Sequence, residues 1–154
     1  MKIMWYTPSM DKKAYYKVMG LDFGDNRIGV ALSDVSRFLA TGLETYTRIS
    51  TEKDLCHLEK IITENKVKVV VFGLPLNMDG TKGVRVEKTE AFAEKLKAKC
   101  DVEIDYYDER LSSVSAEDIL IQAGVRREKR KELIDKVAAT LILQDYLDKN
   151  KENN

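Results

Sequence analysis

The stretch Val18–Gly29, VMGLDFGDNRIG, constrains the fold more than any other, because an apolar run carries one carboxylate and then breaks into Gly24, Asp25 and Asn26. Val18, Met19 and Leu21 suit a buried strand, and the Gly-Asp-Asn cluster tolerates the positive φ of a tight turn. Arg27 to Leu32 resumes the apolar pattern, so the stretch predicts two antiparallel strands joined as a hairpin. Asp22 is then held on a rigid strand, where a carboxylate is costly unless donors or a cation meet it. Two readings of it stand side by side: a turn aspartate bonding the following amides, or a metal- or phosphate-handling residue.

At 154 residues the chain has the ordinary size of one domain and can bury a core without disulfides or a structural metal. Lys+Arg and Asp+Glu both number 26, so any nucleic-acid partner must be held by a local patch rather than by overall charge. Cys56 and Cys100 lack CxxC spacing and read as ordinary residues of a reducing compartment. No apolar run approaches the roughly twenty residues of a membrane span, and the expected location is the cytoplasm.

Residues 1–17 are polar and aromatic without a clean period and read as an appendage. Leu43 to Ile49 favours a third, edge strand. Thr51 reads as the N-cap of an amphipathic helix that carries Leu55, Leu58, Ile61 and Ile62 inward and ends at Asn65. Val67 to Phe72, VKVVVF, is nearly continuously apolar and predicts a strand covered on both faces, reached by a parallel crossover. The loop Gly73–Gly80 follows, at the strand end where α/β sheets gather ligands, although a packed structural turn is the favoured reading of its Asn77 and Asp79. Val84 to Lys99 is a second helix with Val84, Phe92 and Leu96 inward, and Val102 to Tyr107 a strand nearer a sheet edge.

Beyond Asp108, Glu109 and Arg110, either Ser112 or Ser113 is placed to cap a short helix that Gly124 stops. Arg126 to Lys136 holds six basic residues against three acidic ones, to be read either as a solvated face or as a phosphate-contacting patch. A long helix is expected from Glu132 to about Leu147. Asp135 is in register with Ala138 and Ile142 and so lies on the flank that meets the sheet, unless it only serves the helix dipole.

Asp22, Glu109 and Asp135 thus share a pattern, each at a strand end or on an inward helix flank. Carboxylates that converge repel one another and persist mainly where divalent cations neutralise them. Mg²⁺ and Mn²⁺ prefer oxygen ligands, and two such ions about 4 Å apart activate water against a phosphodiester.

Four ordered stretches, GLDFGDNRIGVALSD, VVFGLPLNMDG, DERLSS and IDKVAATLIL, together resemble the YqgF/RuvX family across roughly Val18 to Leu147. Members of that family are named as Holliday junction resolvases or pre-16S rRNA nucleases and have an RNase H-like fold. The resemblance implies catalytic, metal-binding carboxylates at Asp22, Glu109 and Asp135, with Asp108 as a substitute ligand for its neighbour.

The expectation is therefore an α/β, RNase H-like domain over residues 18–148: a mixed five-stranded sheet, its first three strands antiparallel, flanked by helices. Residues 1–17 are an N-terminal extension and 149–154 a C-terminal tail. The expected activity is Mg²⁺- or Mn²⁺-dependent endonucleolytic hydrolysis of structured nucleic acid, with pre-rRNA or branched DNA as partner and no membrane. Arg27, Arg110, Arg126, Arg127, Arg130 and Lys131 would hold phosphates, while Asn77 and Ser112 would orient the backbone or the loops. One rival is a nucleotide-binding fragment of actin or Hsp70 type, suggested by the hairpin after Asp22. Another is a non-catalytic RNA-binding module of ribosome assembly that uses the basic patch alone.

Overall fold

The computed structural model describes residues 16–112 and 114–152. Its strands are β1 (Lys17–Phe23), β2 (Arg27–Ser33), β3 (Ala40–Thr47), β4 (Val67–Leu74) and β5 (Glu103–Asp108), in the spatial order β3-β2-β1-β4-β5. The first three run antiparallel to one another, whereas β4 is parallel to β1 and β5 to β4, which is the mixed sheet the sequence predicts. Helices α1 (Thr51–Glu64), α2 (Val84–Lys99), α3 (Ala116–Gln122) and α4 (Arg127–Glu152) complete the layers. No described helix is long and apolar enough to cross a membrane.

Because side chains alternate along a strand, the sheet has two faces of different character. On one, Met19, Leu21, Ile28, Val30, Val70 and Phe72 pack with Leu58 and Ile61 of α1 and with Phe92 and Leu96 of α2. On the other, Val18, Ala31, Val71 and Tyr107 meet Ala139, Ile142, Leu143 and Leu147 of α4. β4 is covered on both sides, as its nearly continuous apolarity predicts.

Several expected boundaries shift. Ser50, not Thr51, caps α1 by accepting from the Lys53 amide, and β3 spans Ala40–Thr47 rather than Leu43 to Ile49. Val84 is exposed and Val86 takes the inward position of α2, since the buried stripe runs Val86, Thr89, Phe92, Ala93, Leu96. Ser115, not Ser112, caps α3; Ser113 lies outside the described residues. Helix α4 begins at Arg127 rather than Glu132, because Arg, Lys and Glu are strong helix formers even where no apolar period marks them. It also continues through 149–152, so those residues of the expected C-terminal tail are helical. Lys17 belongs to β1, while the remainder of the 1–17 extension, except Tyr16, lies outside the described residues.

Candidate active site

Asp22 stands one residue before the carboxyl end of β1, the middle strand of the sheet. It shares a face with Val18 and Gly20, the face that α4 covers. Its antiparallel partner on β2 is Gly29, and extending the β1–β4 register by one residue beyond Leu21 and Phe72 puts Gly73 on its other side. Asp22 is therefore flanked by two residues with no side chain.

Each glycine admits another acid. A Cβ on Gly29 would stand 1.8 Å from the carbonyl oxygen of Asp135, so only glycine lets α4 rest on β2 at that point. A Cβ on Gly73 would lie 3.0 Å from Glu109 Oε1 and 2.5 Å from Ile142 Cδ1, so the same economy of space lets Glu109 lean over β4. Glu109 opens a single 3₁₀ turn, Glu109–Leu111, which Asp108 caps by accepting from the Arg110 amide.

The electrostatics follow from this crowding. Burial, then the nearby charges of Glu109 and Asp135, push the Asp22 carboxyl up to about 7, with Arg85 opposing. Glu109 is also raised, by burial first and by Asp108, again against Arg85. Among the described residues no donor meets the Asp22 carboxylate, which removes the turn-aspartate reading: the hairpin is closed by the Gly24 amide bonding Arg27 O, not by Asp22. Asp135 is differently placed, since its Oδ2 accepts from Arg27 Nε at 2.7 Å. No three Asp, Glu, His or Cys side chains among the described residues already stand close enough together to hold one metal ion.

The other candidates separate into two groups. Arg110 is committed to Asp108, with Nη2 at 2.7 Å from Oδ2 and Nε bonded to both carboxylate oxygens, and its Nη1 reaches Met78 O. That pairing holds Asp108 below the usual carboxylate range and leaves Glu109 as the acid facing Asp22. Asn77 closes its own loop through Thr81, which favours the structural reading of the Gly73–Gly80 segment. Ser112 donates to Val114 O and, with Glu109, lines a cavity of about 320 Å³ between β5, α3 and α4. Arg130 Nη1 donates to Val125 O and fixes the α3–α4 joint. Arg126, Arg127 and Lys131 are exposed, and Arg127, Lys131 and Asp135 succeed one another at four-residue steps along one stripe of α4.

Sequence reasoning missed Arg85, the cation that opposes the acids. Its signal was legible: an arginine in the first turn of a helix works against the helix dipole, directly after the loop that leaves β4.

Comparison with known proteins places these features. Residues 16–149 match the family model described as RuvX, Holliday junction resolvase. A protein of Desulforamulus reducens named "Putative pre-16S rRNA nuclease" is 54% identical over 132 residues, covering 86% of this chain and 96% of its own length. One of the same name from Clostridioides difficile is 48% identical, covering 86% of this chain and 94% of its own. Among solved structures, Thermus thermophilus RuvC in complex with a Holliday junction substrate superposes with a TM-score of 0.59, at 12% identity and covering 89% of this chain and 96% of that one. Fowlpox virus resolvase with its junction DNA gives 0.56, also at 12% identity, covering 87% and 98%. At that identity the likeness is one of fold, RNase H-like in both.

Proposed function

This chain belongs to the RuvX family of Holliday junction resolvases, and from that premise we propose that it is a nuclease hydrolysing phosphodiester bonds in structured nucleic acid. Its substrate is either precursor 16S rRNA, after the name its relatives carry, or a branched DNA, after the family's name. The observation that carries the reading is Asp22: a carboxylate on the middle strand, met by no donor among the described residues and crowded by two more acids. A fold keeps so unfavourable a group where chemistry needs it.

Mg²⁺ or Mn²⁺ fits this donor set in kind, because hard divalent ions take carboxylate oxygens and a positive charge relieves the repulsion that raises Asp22. Asp22, Glu109 and Asp135 are the residues that would hold it, and when bound it supplies an activated water and stabilises the leaving oxygen. The rest falls to the chain itself. Arg126, Arg127 and Lys131 present exposed cations for the nucleic-acid backbone, and Arg85 places another beside Asp22 and Glu109. Arg110, Asn77 and Arg130 shape the loops and the helix joint rather than touch phosphate.

Incubating the protein with a four-way DNA junction and with 5′-extended 16S precursor RNA, each with Mg²⁺, Mn²⁺ or EDTA, tests this. Cleavage of at least one substrate, only with the ion, is expected. Failure on both in all conditions would leave the non-catalytic RNA-binding reading in its place.

A further inference from the structure

Asp135 enters the site with its main chain fixed and its side chain engaged. Its carbonyl oxygen occupies the space over Gly29, so α4 cannot shift there without lifting off β2, and only the side chain is free to turn. The carboxylate is taken by Arg27, the first residue of β2, at 2.7 Å. The partners are unequally placed: the arginine side chain is 49% exposed and the aspartate 20%. Arg27 thus reaches in from solvent, and its Nη atoms bond nothing else among the described residues.

Building on the nuclease reading above, we propose that Arg27 is an exchangeable counter-ion for Asp135. A divalent cation displaces it from the carboxylate, and the freed guanidinium turns to a backbone phosphate, so that metal and nucleic acid strengthen each other's binding. Three properties carry this. A guanidinium held on Oδ2 repels a divalent cation brought to the same carboxylate, and an ion pair as exposed as this one is weak enough to be exchanged. A guanidinium fork matches a phosphate bidentately, so the released group has a use at a site where nucleic acid lies. The exchange needs only side-chain rotation, since the backbone on both sides is locked in β2 and against Gly29. Arg110 is the contrast: it holds Asp108 through three hydrogen bonds and the Met78 carbonyl besides, and is built to stay.

Coupling of this kind is reciprocal and can be read from binding alone. Mn²⁺ is titrated calorimetrically into the full chain, at one pH and ionic strength, for the parent, Arg27→Ala and Arg27→Lys. Removing the competitor tightens Mn²⁺ binding in Arg27→Ala by about two- to five-fold, the factor that an exposed pair of up to about 1 kcal/mol represents. With Ca²⁺ as the ion, the parent binds a labelled junction or precursor RNA more tightly than in EDTA, and Arg27→Ala loses that gain. Arg27→Lys keeps the charge without the fork, loses part of the gain, and carries the test if the alanine variant does not fold. Unchanged or weaker Mn²⁺ affinity in folded Arg27→Ala overturns the proposal, as does a Ca²⁺ gain that survives both substitutions. Ion-dependent cleavage by the parent beside either result leaves the nuclease reading standing, whereas a parent that neither binds Mn²⁺ nor cleaves overturns both.

Discussion

The two faces of the sheet are built on opposite rules. Toward α1 and α2 the strands present Met19, Leu21, Ile28, Val30 and Phe72, and stability comes from filling volume with large apolar side chains. Toward α4 they present Gly20, Asp22, Gly29, Ala31 and Gly73, and the helix is brought in by leaving volume out. Each face also holds a carboxylate. Asp54, on the α1 side, is fully buried and satisfied, with the Ile49 amide and Arg48 Nε both bonded to it and the Arg48 guanidinium over the Phe23 ring. Among the described residues Asp22 has no such partners. One face is finished as a core; the other is left electrostatically incomplete, and under the proposed nuclease function that incompleteness is where a substrate and its ion would gain.

The sharpest test of the contrast is chemical. Asp22→Asn and Glu109→Gln should each cut cleavage by about a thousand-fold or more while leaving nucleic-acid affinity within a few-fold, since such groups act chiefly in the transition state. Without metal, Asp22→Asn should be as stable as the parent or about 1 kcal/mol more so, because it removes a crowded charge. Retained turnover in either variant, or a destabilised Asp22→Asn in EDTA, would place the active site elsewhere.

Opposite changes of volume test the packing rules next. Gly29→Ala puts a Cβ 1.8 Å from the Asp135 carbonyl, a backbone group that cannot rotate away. It should cost about 3 kcal/mol, at the upper end of overpacking, and should lower activity as well, because α4 must rise and take Asp135 with it. Leu58→Ala on the other face empties a fully buried position and should cost a similar amount, about 2 to 5 kcal/mol, but with turnover per folded molecule unchanged. Urea unfolding beside single-turnover cleavage separates the two; equal losses of activity would erase the functional distinction between the faces.

Much of this was legible in the sequence, and the failures have physical causes. The Val18–Gly29 hairpin, β4 and the limits of α2 announce themselves by turn chemistry and period. The three acids were recognisable because each interrupts or flanks an apolar pattern. The start of α4 was hidden, since its first turns are helix formers with no apolar stripe to count. Of the residues read as inward on α2, Phe92 and Leu96 are buried and Val84 is not, because Val84 sits at the exposed helix start and Val86 begins the buried stripe. What no local pattern carries is the pairing of Arg27 with Asp135 across 108 residues, or the service of Gly29 and Gly73 as seats for other elements.

The two carboxylates should also answer pH with opposite signs. Burial alone would raise Asp54, but the Ile49 amide and Arg48 prevail and hold it below its ordinary value. Its contribution is therefore present above the unfolded pKa near 4 and lost as pH falls through the lower folded one. Asp22, raised to about 7, takes up a proton in the folded state that the unfolded chain still lacks between about pH 4 and 7, so stability should fall as pH rises through that window. The expected change is about 1 to 2 kcal/mol once partial solvent screening is allowed for. Urea midpoints in EDTA at about pH 4.5 and about pH 7.5 measure it, and Asp22→Asn should flatten the difference while Asp54→Asn leaves it in place. A parent with equal midpoints would mean that Asp22 has found a partner.

The smallest effect distinguishes the surfaces outside the two faces. Arg127 and Lys131 are exposed and continue the α4 stripe that ends at Asp135, so a backbone entering the site would pass over them. Replacing both by Ala should weaken binding of all sequences alike and reduce the slope of log affinity against log salt by about one to two units, because each phosphate left unneutralised releases about one counterion fewer. Lys53 and Lys60 are equally exposed but lie on α1, across the sheet, and the same double replacement there should leave the slope unchanged. Arg130→Ala should behave as neither: its guanidinium bonds the Val125 carbonyl at 3.0 Å, so the loss should appear in stability, about 1 kcal/mol, and not in the salt dependence. If the α1 and α4 pairs change the slope equally, binding is spread over the whole surface, and the α4 stripe is an ordinary solvated helix face rather than a track to the acids.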